Sequence, residues 1–137
     1  MIWQHLFFGC RHRDHDFLFK DELGRLVKCE ALTKLHTAFS RETATKVYVT
    51  HRLKQNSALV ARLIRETNAV IYVCGDGAHM AKDTEAVILD ILTNTSTNDD
   101  GESSEDEGPD MNTNRQRAVA ELALLKSKKR YLQDIWS

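Results

Sequence analysis

Cysteine is scarce in this chain. Cys10, Cys29 and Cys74 are an odd number, and their spacing matches no metal-ligand pattern. This argues against a disulfide framework and for a reduced, cytoplasmic protein. No apolar run is long enough to span a bilayer, and no charged-then-apolar leader opens the chain. His5, His12, His15, His36, His51 and His79 show no metal spacing with cysteine or with one another. His12 and His15 are the closest approach to a pair, and no metal site is expected. The chain also lacks an aromatic-rich basic face of the kind that binds single-stranded nucleic acid.

What is present suits one soluble domain. A chain of 137 residues, 42% hydrophobic, can bury a real core. Its net charge of −1 conceals segregation. Asp99, Asp100, Glu102, Glu105, Asp106, Glu107 and Asp110 are seven acids with no base among them. Outside them, 19 basic residues stand against 13 acidic ones, a net of +6. The basic remainder suits an anionic ligand, either a nucleotide or a nucleic acid. Residues 94–114 are polar and acidic, contain the only proline, and read as a disordered surface insertion. Ser103 or Ser104 within it is a candidate phosphorylation target.

Four segments read as strands. Leu6-Phe7-Phe8 is a buried run stopped by Gly9, residues 32–39 alternate loosely, residues 69–73 form a β-branched run suited to burial on both faces, and residues 131–135 close the chain. Helical spacing of apolar residues covers 14–29 with Asp14 or Asp16 as N-cap, and then 47–66, 78–92 and 115–129. Strand–helix alternation predicts an α/β fold with a mostly parallel sheet flanked by helices. A complete nucleotide-binding half of this type opens on a strand and a Gly-rich phosphate turn. Five residues before Leu6 are too few to supply them, so the chain is expected to be a fragment or an incomplete gene model.

Ser40, Arg41, Lys46 and Tyr48 follow a strand end, where open α/β sheets place ligands. A guanidinium, an ammonium and two hydroxyls within nine residues can surround a phosphate dianion; the alternative is a solvated loop. Cys74 ends the best strand and either packs there or meets a ligand. Cys29 reads as core. Asp76 reads as a turn residue and Asp83 as a first-turn acid of the next helix. Asp134 and Trp136 share a strand face by period-two spacing. Trp136 either closes the core or offers its plane to a flat ligand.

Taken in order, Leu6-Phe7-Phe8-Gly9-Cys10-Arg11, Ser40-Arg41-Glu42, Lys46-Val47-Tyr48-Val49, Tyr72-Val73-Cys74-Gly75-Asp76, Met80-Ala81-Lys82-Asp83 and Lys129-Arg130-Tyr131-Leu132-Gln133-Asp134-Ile135-Trp136-Ser137 resemble the C-terminal NADPH-binding region of the diflavin reductases. The match covers nearly the whole chain except residues about 94–114, and the ending looks most like the methionine synthase reductase branch. The resemblance implies a Rossmann-like, ferredoxin-NADP reductase-like domain over 1–137 that lacks its first strand and Gly-rich turn, which would lie centrally in the sheet. It also implies that Ser40, Arg41, Lys46, Tyr48 and Thr50 hold the NADPH 2′-phosphate and adenosine. Thr50 stands where the family often has Gln. Asp83, and more weakly Cys10 and Arg11, would contact the rest of the nucleotide. Cys74 would lie beside the nicotinamide and assist hydride transfer, with the Gly75 backbone passing close. Asp134 would stabilise Cys74 and the developing charge, and Trp136 would stack on FAD.

The intact protein would pass a hydride from NADPH to FAD, then electrons through FMN to an acceptor protein, with methionine synthase the first expectation. The upstream FAD and FMN domains would be partners in the same protein. Reductases for cytosolic iron–sulfur assembly and for microsomal cytochromes are the runners-up. A rival of another class is a non-catalytic nucleotide-binding or interaction module. No flavin-binding Arg-x-Tyr-Ser pattern and no FMN domain occur in this sequence, so the chain alone is expected to be inactive.

Overall fold

The computed structural model describes residues 3–95 and 111–136. The chain divides into two compact units, Met1–Gln55 and Asn56–Ser137. All strand pairing among the described residues is parallel. β1 (His5–Cys10) pairs with β2 (Lys34–Phe39) in the first unit, and β3 (Ile71–Asp76) with β4 (Tyr131–Trp136) in the second. A helix lies between the strands of each pair, as parallel pairing requires. Short parallel strands flanked by helices give the expected Rossmann-like α/β class, here as two strand pairs.

In the first unit, Ala38 and Phe39 of β2 are buried together with His36. The Phe7 ring stacks on His36 at 4.2 Å, and Phe17 packs against both Phe8 and Phe39. Gly9 does not end β1, which runs on to Cys10, and residues 6–8 are half-exposed rather than buried. The glycine is needed for a close approach instead: a Cβ there would lie 2.8 Å from Val49 Cγ2, at the start of α2 (Val49–Gln55). The expected helix from residue 14 begins later, as α1 (Lys20–Lys28), and neither Asp14 nor Asp16 caps it. Asp16 is drawn back to the segment just after β1, where its carboxylate accepts the N–H groups of Arg11 (3.0 Å) and His12 (2.7 Å). Asp14 lies 3.5 Å from Lys20 Nζ. No residue of α1 is buried, and Cys29 beyond it is exposed, not core.

The single helix expected over 47–66 is two. It breaks at Asn56, where the units divide, and α3 (Ser57–Glu66) follows. The two halves bury their apolar residues in different cores: Leu53 in the first unit, Val60, Ala61 and Ile64 in the second. That is why one periodic stretch cannot stay one helix.

The second unit is built on α4 (Ala78–Asn94) and α5 (Met111–Ser127), with Ile88 and Leu92 its largest fully buried side chains. Arg65 of α3 joins them. Its guanidinium donates to the Leu92 and Thr95 carbonyls, orphans at the end of α4, and pairs with Glu121 of α5 at 2.9 Å. α5 ends with Lys129 left-handed at φ 56; Arg130 N–H bonds Leu125 O and Lys129 N–H bonds Lys126 O, the Schellman pattern. The chain then turns directly into β4. β3 is not buried on both faces: Val73 is buried, whereas Tyr72 is 71% exposed and Cys74 is exposed. The helices of this unit cover one face only. The acidic insertion expected over 94–114 lies mostly outside the described residues, as do Ser103 and Ser104. At its flanks Asn94 closes α4 and residues 111–114 open α5.

Candidate functional site

The expected site residues fall on both units. In the first, the parallel ladder continues past the strand ends: Ser40 N–H donates to Cys10 O at 2.9 Å and Arg41 N–H to Arg11 O at 3.0 Å. Cys10, Arg11, Ser40 and Arg41 therefore sit together at the C-terminal edge of β1 and β2, the edge that binds ligands in open α/β sheets. Arg41 and Lys46 are exposed, and neither side chain makes a hydrogen bond or ion pair among the described residues. Glu42, the nearest acid in sequence, is engaged elsewhere. It accepts the Arg13 backbone N–H and approaches the Arg13 guanidinium at 3.9 Å, while that guanidinium lies 4.6 Å over the Phe39 ring. Arg41 at this strand edge and Lys46 in the loop that follows are unpaired cations among the described residues, and such cations suit a phosphate dianion, because charge-assisted hydrogen bonds are the strong ones.

The setting of the Cys10 thiol disfavours its thiolate form. Burial, and next the Asp16 carboxylate, push its pKa up. Asp16 itself is held below its ordinary range by the His12 and Arg11 N–H groups it accepts. Tyr48 is 48% exposed and stacks on His51, and Thr50 follows in α2, half-exposed.

In the second unit the strand register brings the expected chemistry onto one face. Cys74 is the direct partner of Asp134, and Asp76 of Trp136. Paired residues of a parallel sheet share a face, and alternate residues along each strand do too. Tyr72, Cys74, Asp76, Asp134 and Trp136 thus line one side, and all are exposed. Val73 and Tyr131, on the other side, are 6% and 5% exposed. Trp136 at 56% exposed does not close the core. A free thiol, a carboxylate beside it and an open indole plane fit a flat redox ring better than they fit a hydrolytic centre.

Asp76 is the last residue of β3 rather than a turn residue, and the period-two step from Cys74 is the signal for its place on this face. Gly75 faces the other way: a Cβ there would overlap the Met80 methyl, so its space is used by the core. Gly77, at φ 92, makes the turn into α4. Asp83 is the sixth residue of α4, past the first turn, and exposed. Among the described residues no cluster of three or more His, Cys, Asp or Glu is placed to hold a metal, and no helix is long and apolar enough to cross a membrane.

Residues 3–86 match the family of oxidoreductase NAD-binding domains. The chain is 41% identical to methionine synthase reductase of Mus musculus and 38% identical to that of Homo sapiens, in each case over 96% of this chain and 18% of the relative. It is 42% identical to NADPH–cytochrome P450 reductase of Mus musculus, over 96% of this chain and 17% of the relative. The chain thus spans about a fifth of the length of these relatives. It belongs to the diflavin reductase family, as an oxidoreductase NAD-binding domain.

Proposed function

We propose that residues 1–137 form a partial NADPH-binding domain of a diflavin reductase that reduces FAD with NADPH and passes electrons through FMN to methionine synthase. The bound cofactors supply the chemistry: NADPH carries the hydride and FAD accepts it. The chain's own residues bind and orient. Arg41 and Lys46, with Ser40 and Tyr48, take the 2′-phosphate and adenosine, and Thr50 adds a shorter hydroxyl contact. Cys10, Arg11 and Asp83 contact the remainder of the nucleotide. Cys74 would leave room beside the nicotinamide, Asp134 would offset charge developing beside the thiol, and Trp136 would lie against the flavin plane and have to move aside for hydride transfer. The observation that carries this reading is exposed Arg41 at the β1–β2 edge, followed in the next loop by exposed Lys46, neither side chain holding an ion pair among the described residues. Methionine synthase as acceptor is supported by the relatives of that name, and the similarity to cytochrome P450 reductase makes a cytochrome the second reading.

Arg41→Ala in the full-length protein tests it. Loss of a charge-assisted contact of about 1.5–3 kcal/mol raises KM for NADPH roughly 10- to 100-fold and leaves use of NADH nearly unchanged. Equal effects on both cofactors contradict the 2′-phosphate assignment. Trp136→Ala is the companion: it improves use of NADH, and an unchanged cofactor preference contradicts the stacking role.

A further inference from the structure

We propose that His51 is a positioning residue that fixes Tyr48 for the adenine of the nucleotide, an inference that rests on the nucleotide reading of the β1–β2 edge. Tyr48 is the residue just before α2, and His51 is the third residue of that helix. His51 grips Tyr48 three times. Its backbone N–H donates to Tyr48 O at 3.0 Å, its Nδ1 accepts the Tyr48 backbone N–H at 2.8 Å, and its ring stacks on the Tyr48 ring with centroids 5.8 Å apart at 20°. This is the logic of a capping box, in which the third helical side chain reaches back to the N–H of the residue before the helix. Glu or Gln normally supplies that acceptor. An imidazole supplies it too, and adds a flat surface that a carboxylate or amide lacks.

The consequence falls on a ligand contact. With Nδ1 as acceptor, the neutral imidazole carries its proton on Nε2. The Tyr48 backbone N–H is then held, and its ring lies in an offset stack beside the His51 ring. Tyr48 is 48% exposed and its ring has no other aromatic contact among the described residues, which leaves room for a planar base. An exposed tyrosine on a loop would otherwise lose side-chain freedom on binding, which weakens affinity. Holding it in place before the base arrives lowers that cost. The hold acts on the base and not on the 2′-phosphate, which separates it from Arg41 and Lys46.

Three variants of the full-length protein test this: His51→Phe keeps the flat ring and loses the acceptor, His51→Gln keeps an acceptor at the same helical position, and Arg41→Ala is the phosphate control. Binding of 2′,5′-ADP and of 5′-AMP is measured for each, together with hydrogen exchange of the Tyr48 amide without ligand. His51→Phe should weaken both ligands by the same factor, roughly 2- to 10-fold, the range for one neutral hydrogen bond, and speed Tyr48 amide exchange. His51→Gln should restore the slow exchange and most of the affinity. Arg41→Ala should weaken 2′,5′-ADP alone. Unchanged binding in His51→Phe overturns the positioning role while leaving the nucleotide site intact, and so does a loss confined to 2′,5′-ADP. No binding of either ligand by the unsubstituted protein removes the nucleotide reading, and this role with it.

Discussion

The two units use similar parallel strand pairs but hold them differently. The second rests on aliphatic burial: Leu92 is fully buried, Ile88 and Ile91 nearly so, and Arg65 closes the end of α4 with charge-assisted hydrogen bonds. The first has a core of stacked rings that includes two imidazoles. His5 Nδ1 and His36 Nε2 are 3.3 Å apart, so one ring donates and the other accepts, and His5 Nε2 is buried without a hydrogen-bond partner among the described residues. Its helix α1 buries nothing, and Leu18, Phe19, Leu26 and Val27 beside or within it are exposed. The difference teaches how each candidate site is held. The exposed face of β3–β4 that carries Cys74, Asp134 and Trp136 stands on a packed apolar layer. The C-terminal edge of β1–β2 is positioned by polar ties such as Asp16 to the Arg11 and His12 amides, Arg52 Nε to Thr37 O, and Glu42 to Arg13.

The largest break in that contrast comes from the apolar layer. Leu92→Ala should cost about 2–5 kcal/mol, the usual range for a fully buried leucine, and site-resolved hydrogen exchange should show the loss concentrated in α4, α5, β3 and β4. Loss of comparable size at β1 and β2 would contradict separate cores.

Acid should act on the first unit instead. Burial, and then Lys34, lower the pKa of both His5 and His36 below the ordinary 6.5. As pH falls below about 6.5 the unfolded chain takes up these protons first, so stability declines and levels off beneath the folded values. Asp16, lowered from 3.8, adds a second loss only at more acid pH, as pH falls through its depressed value. Tyr131 in the second unit is raised from 10.0, chiefly by burial, so that unit should weaken on the alkaline side instead. Amide exchange across a pH series checks this. An acid response equal in both units, or its persistence in His36→Phe combined with His5→Phe, would contradict the assignment to the imidazole pair. The smallest effect belongs to the uncovered surface: Leu18→Ser, at a residue 63% exposed, should change stability by no more than about 0.5 kcal/mol.

Strand existence and parallel class were legible in the sequence because apolar runs alternate with helical spacing. Burial was not. The β-branched run before Cys74 has the composition of a strand covered on both sides, yet what covers a strand is set by elements distant in sequence. Asp16 looked like a cap because it precedes a periodic stretch; its carboxylate instead turns back to the Arg11 and His12 amides, five and four residues before it, a local choice that periodicity does not reveal. The break at Asn56 was hidden because 47–66 keeps helical spacing across it, while the two halves face different cores. Of the candidate site, the motif residues were visible as motifs. The pairing of Cys74 with Asp134 needed the β3–β4 register, and the grip of His51 on Tyr48 needed the geometry of one helical turn.

The most direct test of the central claim, that Arg41 at the β1–β2 edge and Lys46 in the following loop read a 2′-phosphate, is an amide NMR titration with 2′,5′-ADP and with 5′-AMP. The account predicts that 2′,5′-ADP shifts the amides of residues 40–48 at concentrations where 5′-AMP leaves them nearly still. An equal response to both nucleotides, or shifts confined to residues 71–83 and 131–136, would contradict it.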